Sequence, residues 1–353
     1  MHMLNLSCKG ADRQAMDEAC RRWDAVAKPL HSLGLLEDAV VKIAGVQGTA
    51  DVSLAPRCAV IFCADHGVVA RGVSQSGQEV TSLVARSIAE GTANVNLMAG
   101  VAHADVFAVD MGMAIPVDHP GMIAKSQGRG TADFSLGPAM TRAQAESAVQ
   151  AGMDMAARMK EKGYRLMAVG EMGIGNTTAA TACLCALTGR DPGEWTGRGA
   201  GLSDAGLARK TAVIRQALAV NRPDAAGPLD VLAKVGGFDI AGMMGACLGG
   251  MACGLPVILD GLISSVAALL AFRLCPQVCE ALLASHESRE PAASLALKEL
   301  GLPAIIKGGL ALGEGTGAVA LMPLLDMALA VYGGVHTFDQ LGMAAYTPQE
   351  GTK

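Results

Sequence analysis

Four short segments bring together residue types that could do chemistry. The first reads Gly170-Glu171-Met172-Gly173-Ile174-Gly175-Asn176-Thr177-Thr178. Its glycines open the backbone to close approach, and a helix starting here would offer free N–H groups to an anion. Asn176 and Thr177 add side-chain hydrogen bonds. An ordinary strand-to-helix turn with a polar cap would look the same. It is not a Walker loop, because no Gly-Lys-Ser/Thr follows, and it lacks the GxGxxG dinucleotide fingerprint. The second segment is Leu312-Gly313-Glu314-Gly315-Thr316-Gly317. A carboxylate between two glycines can come close to a reacting group, although taken alone it also reads as a solvated turn glutamate. The third, Ala64-Asp65-His66-Gly67-Val68, could bind a metal, serve as a base or cap the next helix. The fourth, Ser285-His286-Glu287-Ser288, is equally ambiguous. Ser-His-Asp hydrolysis is disfavoured by the missing GxSxG elbow. No adjacent acidic pair of the kind that grips a magnesium–pyrophosphate donor is present.

Each segment needs an element to hold it. Apolar spacing predicts helices over residues 12–27 and about 35–44, separated by Pro29. Cys58-Ala-Val-Ile-Phe-Cys63 predicts a strand ending at the Asp65-His66 segment. Helical patterns follow over 79–90 and 94–101. Further strands are predicted at 106–109, ending at Asp110, at 165–169, ending at Gly170-Glu171, and at 256–259, ending at Asp260-Gly261. Helices are predicted over 177–187 and 316–332. Short apolar strands alternating with helices imply an α/β fold, a mostly parallel Rossmann-like sheet flanked by helices. The polar residue after each strand then lies at the carboxyl edge, where such folds bind ligands. A small helical domain is expected from both chain ends (residues 1–50 and 316–353), beside an α/β nucleotide- and acceptor-binding domain (residues 51–315).

Composition narrows the classes. Of 353 residues, 51% are hydrophobic and 17% charged, ample for a large core. The 44 glycines and 19 methionines against 3% aromatics suit close packing of helices on a sheet. A net charge of −5 with no dense basic run argues against nucleic acid as a partner. The ten cysteines include no CxxC pair, so reduced, buried thiols are expected, with no metal and no cofactor. The N-terminus lacks the apolar core of a signal peptide, which points to the cytoplasm. Residues 240–259 carry no charge and are long enough to span a bilayer, yet they hold five glycines and Pro256. A buried helix over 240–253 followed by a strand over 256–259 explains them, so no membrane span is expected.

Taken together, the segments resemble the nicotinate-nucleotide–dimethylbenzimidazole phosphoribosyltransferase family. The resemblance covers nearly the whole chain and includes Gly137-Pro138-Ala139-Met140-Thr141-Arg142 and Lys234-Val-Gly-Gly-Phe-Asp239 besides the segments above. It implies transfer of ribose 5-phosphate from nicotinate mononucleotide to an aromatic base, giving an α-riboside phosphate for cobamide assembly. It also implies a parallel sheet, a small helical domain from both chain ends, and a homodimer. By this resemblance Glu314 is the catalytic base, with Glu171 beside it. Gly173, Ile174, Gly175, Asn176 and Thr177 match the nucleotide-binding turn, and Lys210, Asp260, Gly261 and Ser288 lie near the ribose phosphate. Ser76, Gly77, Val84 and Leu312 surround the acceptor. Here the chain departs from the family, with Gly77 where proline is usual and Val84 where glutamine or methionine is common. Some members activate phenols, some of these as heteromers of two related subunits. That leaves a phenol acceptor, a heterodimer, or a non-catalytic partner subunit as alternatives. An NAD-dependent oxidoreductase is disfavoured by the missing fingerprint.

Overall fold

Asp12 starts the first helix, its carboxylate accepting the Ala15 N–H at 3.0 Å. From there the computed structural model describes residues 10–347, so the readings at Cys8 and at the extreme N-terminus lie outside the described residues. In chain order the first elements are α1 (Arg13–Ala25), α2 (Leu35–Gln47), β1 (Arg57–Ala64), α3 (Glu79–Glu90), α4 (Asn94–Val101), β2 (Ala104–Gly112) and β3 (Met122–Ala124). The middle of the chain forms α5 (Arg142–Glu161), β4 (Leu166–Met172), α6 (Asn176–Thr188), a single turn α7 (Pro192–Trp195), α8 (Asp204–Asn221), α9 (Pro228–Val235) and α10 (Phe238–Cys253). It closes with β5 (Val257–Leu259), α11 (Leu262–Leu274), β6 (Leu282–Ala284), α12 (Pro291–Leu300) and α13 (Thr316–Gly334).

Six strands form one sheet in the order β3-β2-β1-β4-β5-β6, with every neighbouring pair parallel. β1 is buried along its whole length, which is why its sequence after Arg57 is a continuous apolar run without alternation. The four strands expected from sequence are all present. The two additional strands, β3 and β6, are three-residue edge strands, too short to show a period.

Glycine sets the packing on one face. A Cβ at Gly152 would lie 1.9 Å from the Gly242 carbonyl oxygen, and one at Gly245 would lie 1.9 Å from that of Val149. Helices α5 and α10 therefore touch backbone to backbone. The uncharged stretch at 240–259 is α10 followed by β5, both buried in this core. Among the described residues, α13 is long and apolar enough to cross a membrane by length and composition. Its Asp326 pairs with Arg57 at 2.7 Å, and its Ala318, Leu321, Met322 and Leu325 are buried against the sheet's other face.

The chain ends meet in a smaller apolar cluster. Ala19 and Trp23 of α1, Val40 and Ala44 of α2, and Ala328 and Tyr332 of α13 share it. The Trp23 and Tyr332 rings lie 4.9 Å apart, and the Tyr332 hydroxyl donates to the Ala50 carbonyl at 2.9 Å.

Five of the free thiols, Cys58, Cys63, Cys183, Cys185 and Cys247, are buried, and Cys20 is exposed. Cys275 corrects the expectation of uniformly reduced thiols, because it is disulfide-bonded. Pairing depends on which cysteines the fold brings within reach, which spacing along the chain does not show.

Candidate active site

Strand order reverses between β1 and β4: from β1 the chain runs outward to β2 and β3, from β4 outward to β5 and β6. The loops leaving the two strands diverge there and open a crevice, the usual ligand site of open α/β sheets. A cleft of about 260 Å³ lies at this point. Its walls come from the 171–177 turn, the 198–202 loop, the start of α11, His286 and Ser288, and the 311–314 loop.

The Glu314 loop lies directly on β4. A Cβ at Gly170 would sit 2.5 Å from Gly315 Cα, so Gly170 is what lets the two segments touch. Glu314 itself has φ 59°, between Gly313 at 86° and Gly315 at 79°. A left-handed non-glycine residue costs about 1–2 kcal/mol, and such strain persists only where the surroundings impose it. They do so through the carboxylate: Asn94 Nδ2 donates to Oε1 at 3.0 Å, and the Val95 N–H donates to Oε2 at 3.3 Å. The latter is a free N–H of the first turn of α4, where the helix dipole favours a negative charge.

Glu171 ends β4 under the same loop, and a Cβ at Gly313 would lie 2.9 Å from its Oε1. Asn176 Nδ2 donates to Glu171 Oε2. Burial, then the charges of Asp239 and Asp260, push the Glu171 carboxyl up to about 8, so it holds its proton at pH 7. Asp260 follows β5 and accepts the N–H groups of Gly317 at 2.8 Å and of Ala318 and Gly315 at 3.2 Å. Burial pushes it up to about 6 against these bonds. Its carboxylate therefore occupies the N-terminus of α13, which is closed to any ligand anion.

Two helix starts do face the cleft. At α6, the Ile174 N–H is spent on Thr81 Oγ1 at 3.1 Å and that of Asn176 on the Gly173 carbonyl at 3.1 Å. At α11, the first-turn N–H groups of Leu262, Ile263 and Ser264 have no carbonyl within the helix to bond. Gly261 precedes them in ordinary contact with Ser288, whose Oγ would lie 3.6 Å from an added Cβ. The α11 start is thus the better anion cradle.

The residues singled out from sequence fall into two groups. Glu171, Gly173, Ile174, Gly175, Asn176, Thr177, Asp260, Gly261, Ser288, Val84, Leu312 and Glu314 all line the cleft. Lys210 does not. Its fully buried ammonium donates to Thr177 Oγ1 at 2.8 Å and to the Gly197 carbonyl at 3.1 Å, one layer behind the wall. Burial pulls it down to about 8. Ser76 and Gly77 also lie off the lining, and a Cβ at Gly77 would press on the Glu79 carboxylate. Sequence reasoning missed Asn94, and it missed the 198–202 loop, where Glu290 Oε1 accepts the Gly199 N–H at 2.9 Å. The glycine-rich run Gly197-Arg-Gly-Ala-Gly201 was a visible signal for that loop; Asn94 had none. Among the described residues, no group of three or more His, Cys, Asp or Glu side chains could hold a metal ion.

A crevice at the switch point, a helix start with free N–H groups and a fixed carboxylate on the same wall are the parts that a nucleotide-handling transferase needs. A family model described as phosphoribosyltransferase matches residues 8–343. Curated relatives named nicotinate-nucleotide–dimethylbenzimidazole phosphoribosyltransferase include one from Acetivibrio thermocellus, 40% identical over 96% of both chains. Another, from Roseiflexus sp. (strain RS-1), is 45% identical over 94% of this chain and 95% of its own. The crystal structure of CobT from Thermus thermophilus superposes with a TM-score of 0.89 at 40% identity, covering 94% of this chain and all of that one. The fold is that of a phosphoribosyltransferase. Within that class, the chain belongs to the nicotinate-nucleotide–dimethylbenzimidazole phosphoribosyltransferase family.

Proposed function

We propose that this enzyme moves ribose 5-phosphate from nicotinate mononucleotide to an aromatic base, dimethylbenzimidazole or a related ring, giving an α-riboside phosphate for cobamide assembly and releasing nicotinate. The observation that carries the reading is Glu314, held over β4 by Asn94 and Val95 on the wall of a cleft that the α11 start and the apolar side chains of Val84 and Leu312 also line. The donor's phosphate rests on the α11 start beside Ser288, with the 173–177 turn alongside. The ribose then spans toward Glu171 and Glu314. Nicotinate is bonded to C1′ as a pyridinium, so it leaves without a general acid or a metal. The unprotonated ring nitrogen of the acceptor attacks C1′ from the opposite face, the proton on its other ring nitrogen passes to the Glu314 carboxylate, and β configuration becomes α. Positive charge on the sugar and the departing ring lies among buried carboxyl groups, which favours the transition state electrostatically. Glu171, neutral at pH 7, adds no second negative charge beside the base.

We further propose a homodimer, which rests on the family resemblance alone, and a helical lobe built from the two chain ends, which the apolar cluster shared by α1, α2 and α13 supports. The decisive experiment incubates the purified protein with nicotinate mononucleotide and dimethylbenzimidazole. α-Ribazole 5′-phosphate and nicotinate should form in equal amounts. Hydrolysis of the donor alone, or no reaction, rejects the assignment.

A further inference from the structure

Two sequence segments remain without a role in this mechanism: Asp65-His66 after β1, and Gly236-Gly237-Phe238-Asp239 at the start of α10. Their side chains meet behind the cleft. His66 Nε2 lies 3.1 Å from Asp239 Oδ1 and 3.2 Å from Oδ2, and both residues are fully buried. Asp239 Oδ2 also accepts from Asn176 Nδ2 at 3.3 Å, and the same amide nitrogen donates to Glu171 Oε2. Glycines from two separate motifs make room for this chain. A Cβ at Gly237 would lie 2.1 Å from His66 Cε1, and one at Gly173 would lie 3.0 Å from Asp239 Oδ2.

The polarity of the chain follows from what each group can do. The oxygens of an ionised carboxylate only accept, so His66 Nε2 carries the hydrogen it shares with Asp239. A neutral Glu171 still accepts through its carbonyl oxygen. The amide NH2 of Asn176 is therefore drawn inward by two acceptors, which leaves its carbonyl oxygen on the other side of the amide, and Asn176 itself lines the cleft. Apart from its phosphate, nicotinate mononucleotide at neutral pH has only two hydrogen-bond donors, the ribose hydroxyls.

We propose that His66 and Asp239 are a positioning pair that locks the Asn176 amide with its oxygen toward a ribose hydroxyl, so that the site requires a donor group on the sugar. The inference rests on the nucleotide-donor reading above. An amide free to turn would satisfy an acceptor at the same place equally well.

Fluorine tests this, since it accepts weakly and cannot donate. Dissociation constants would be measured by calorimetry for nicotinate mononucleotide and for its 2′-fluoro and 3′-fluoro analogues. The wild-type protein should bind one analogue at least about tenfold more weakly, the size of one lost hydrogen bond with an acceptor left unpaired. Asp239→Asn, which can turn its own NH2 toward Asn176, should bring that ratio to within about threefold, with an unchanged far-ultraviolet spectrum. Equal wild-type binding of all three nucleotides overturns the proposal, as does an undiminished ratio in folded Asp239→Asn. If that variant does not fold, His66→Gln, which keeps a donor toward Asp239, and His66→Leu, which removes it, take its place. Only the leucine variant should narrow the ratio, and equal ratios in the two overturn the proposal. A wild-type protein that does not bind nicotinate mononucleotide refutes the donor assignment instead.

Discussion

The two ends of the cleft are built on different physics. At the end assigned to the donor, Glu171, Asn176, Asp239 and Asp260 are buried, and each makes at least one hydrogen bond inside the protein. At the end assigned to the acceptor, Val84 is half-buried and Leu312 is 56% exposed. A buried polar group that loses its partner costs about 1–3 kcal/mol, so a network of them holds a single geometry. Apolar contact is non-directional and filters a ligand by size and shape. On the proposed reading, the first end should therefore discriminate among nucleotides more strictly than the second does among flat rings.

The largest effect expected from breaking this contrast is at the carboxylate between the two ends. Glu314→Gln keeps the size and the contact with Asn94 but cannot take a proton. Turnover should fall at least about a hundredfold while calorimetric affinity for nicotinate mononucleotide is retained. Near-normal turnover would remove Glu314 from the role of base.

Next comes the anion cradle. Gly175 is a poor probe, because its φ is +97° and an added Cβ would meet Val69 at 2.7 Å, so substitution there would strain the fold itself. Gly261 has φ −96° and only ordinary contacts around an added Cβ. Gly261→Val should weaken donor binding by about tenfold or more with the melting temperature little changed, since the branched side chain enters the space before the α11 N–H groups. Unaltered affinity would move the phosphate elsewhere.

A smaller loss is expected at Asn94, which bonds Glu314 without lining the cleft. Asn94→Ala leaves Glu314 with the Val95 N–H alone, and kcat should drop about tenfold with KM nearly constant. A change confined to KM would place Asn94 in substrate binding.

The donor end also has a signature in stability. Glu171 titrates near 8 in the folded protein and near 4.5 when unfolded. Between those values the unfolded chain gives up a proton that the native state keeps. Stability from this group is therefore lost as pH rises from about 4.5 to 8. In Glu171→Gln, urea midpoints should decline less between pH 5 and pH 8 than in the wild type. Parallel declines would show that Glu171 is ionised in the native protein.

The smallest effect belongs to the acceptor end. Val84→Met adds volume to one wall without adding a hydrogen bond. The ratio of dimethylbenzimidazole to p-cresol turnover should shift by a few-fold, with donor affinity constant, because a methylene or two in an apolar pocket is worth about 1–3 kcal/mol at most. No shift would mean that Val84 does not face the acceptor.

What the sequence determined by itself was local. Runs such as Cys58–Cys63 were legible as buried parallel strands, and the residues after them had to lie at the sheet's carboxyl edge, so Glu171 and Asp260 could be placed in a site from the chain alone. The glycine-flanked Glu314 was legible as a loop entering a helix, but its place in a site came from the resemblance, since alone it also reads as a solvated turn glutamate. The tertiary structure decided which of these residues meet. Asn94 and Glu314 are 220 residues apart, and His66 and Asp239 are 173 apart. Their pairing depends on β4 lying beside β1 and on α4 pointing its first turn at the 313–315 loop. Lys210 and Gly77 make the converse point, since both belong to segments that match the family's site, yet neither lines the cleft. Spacing along a chain specifies the direction in which a side chain leaves its own element. The layer it ends in, wall or second layer, is set by neighbours from other elements, and no local pattern encodes them.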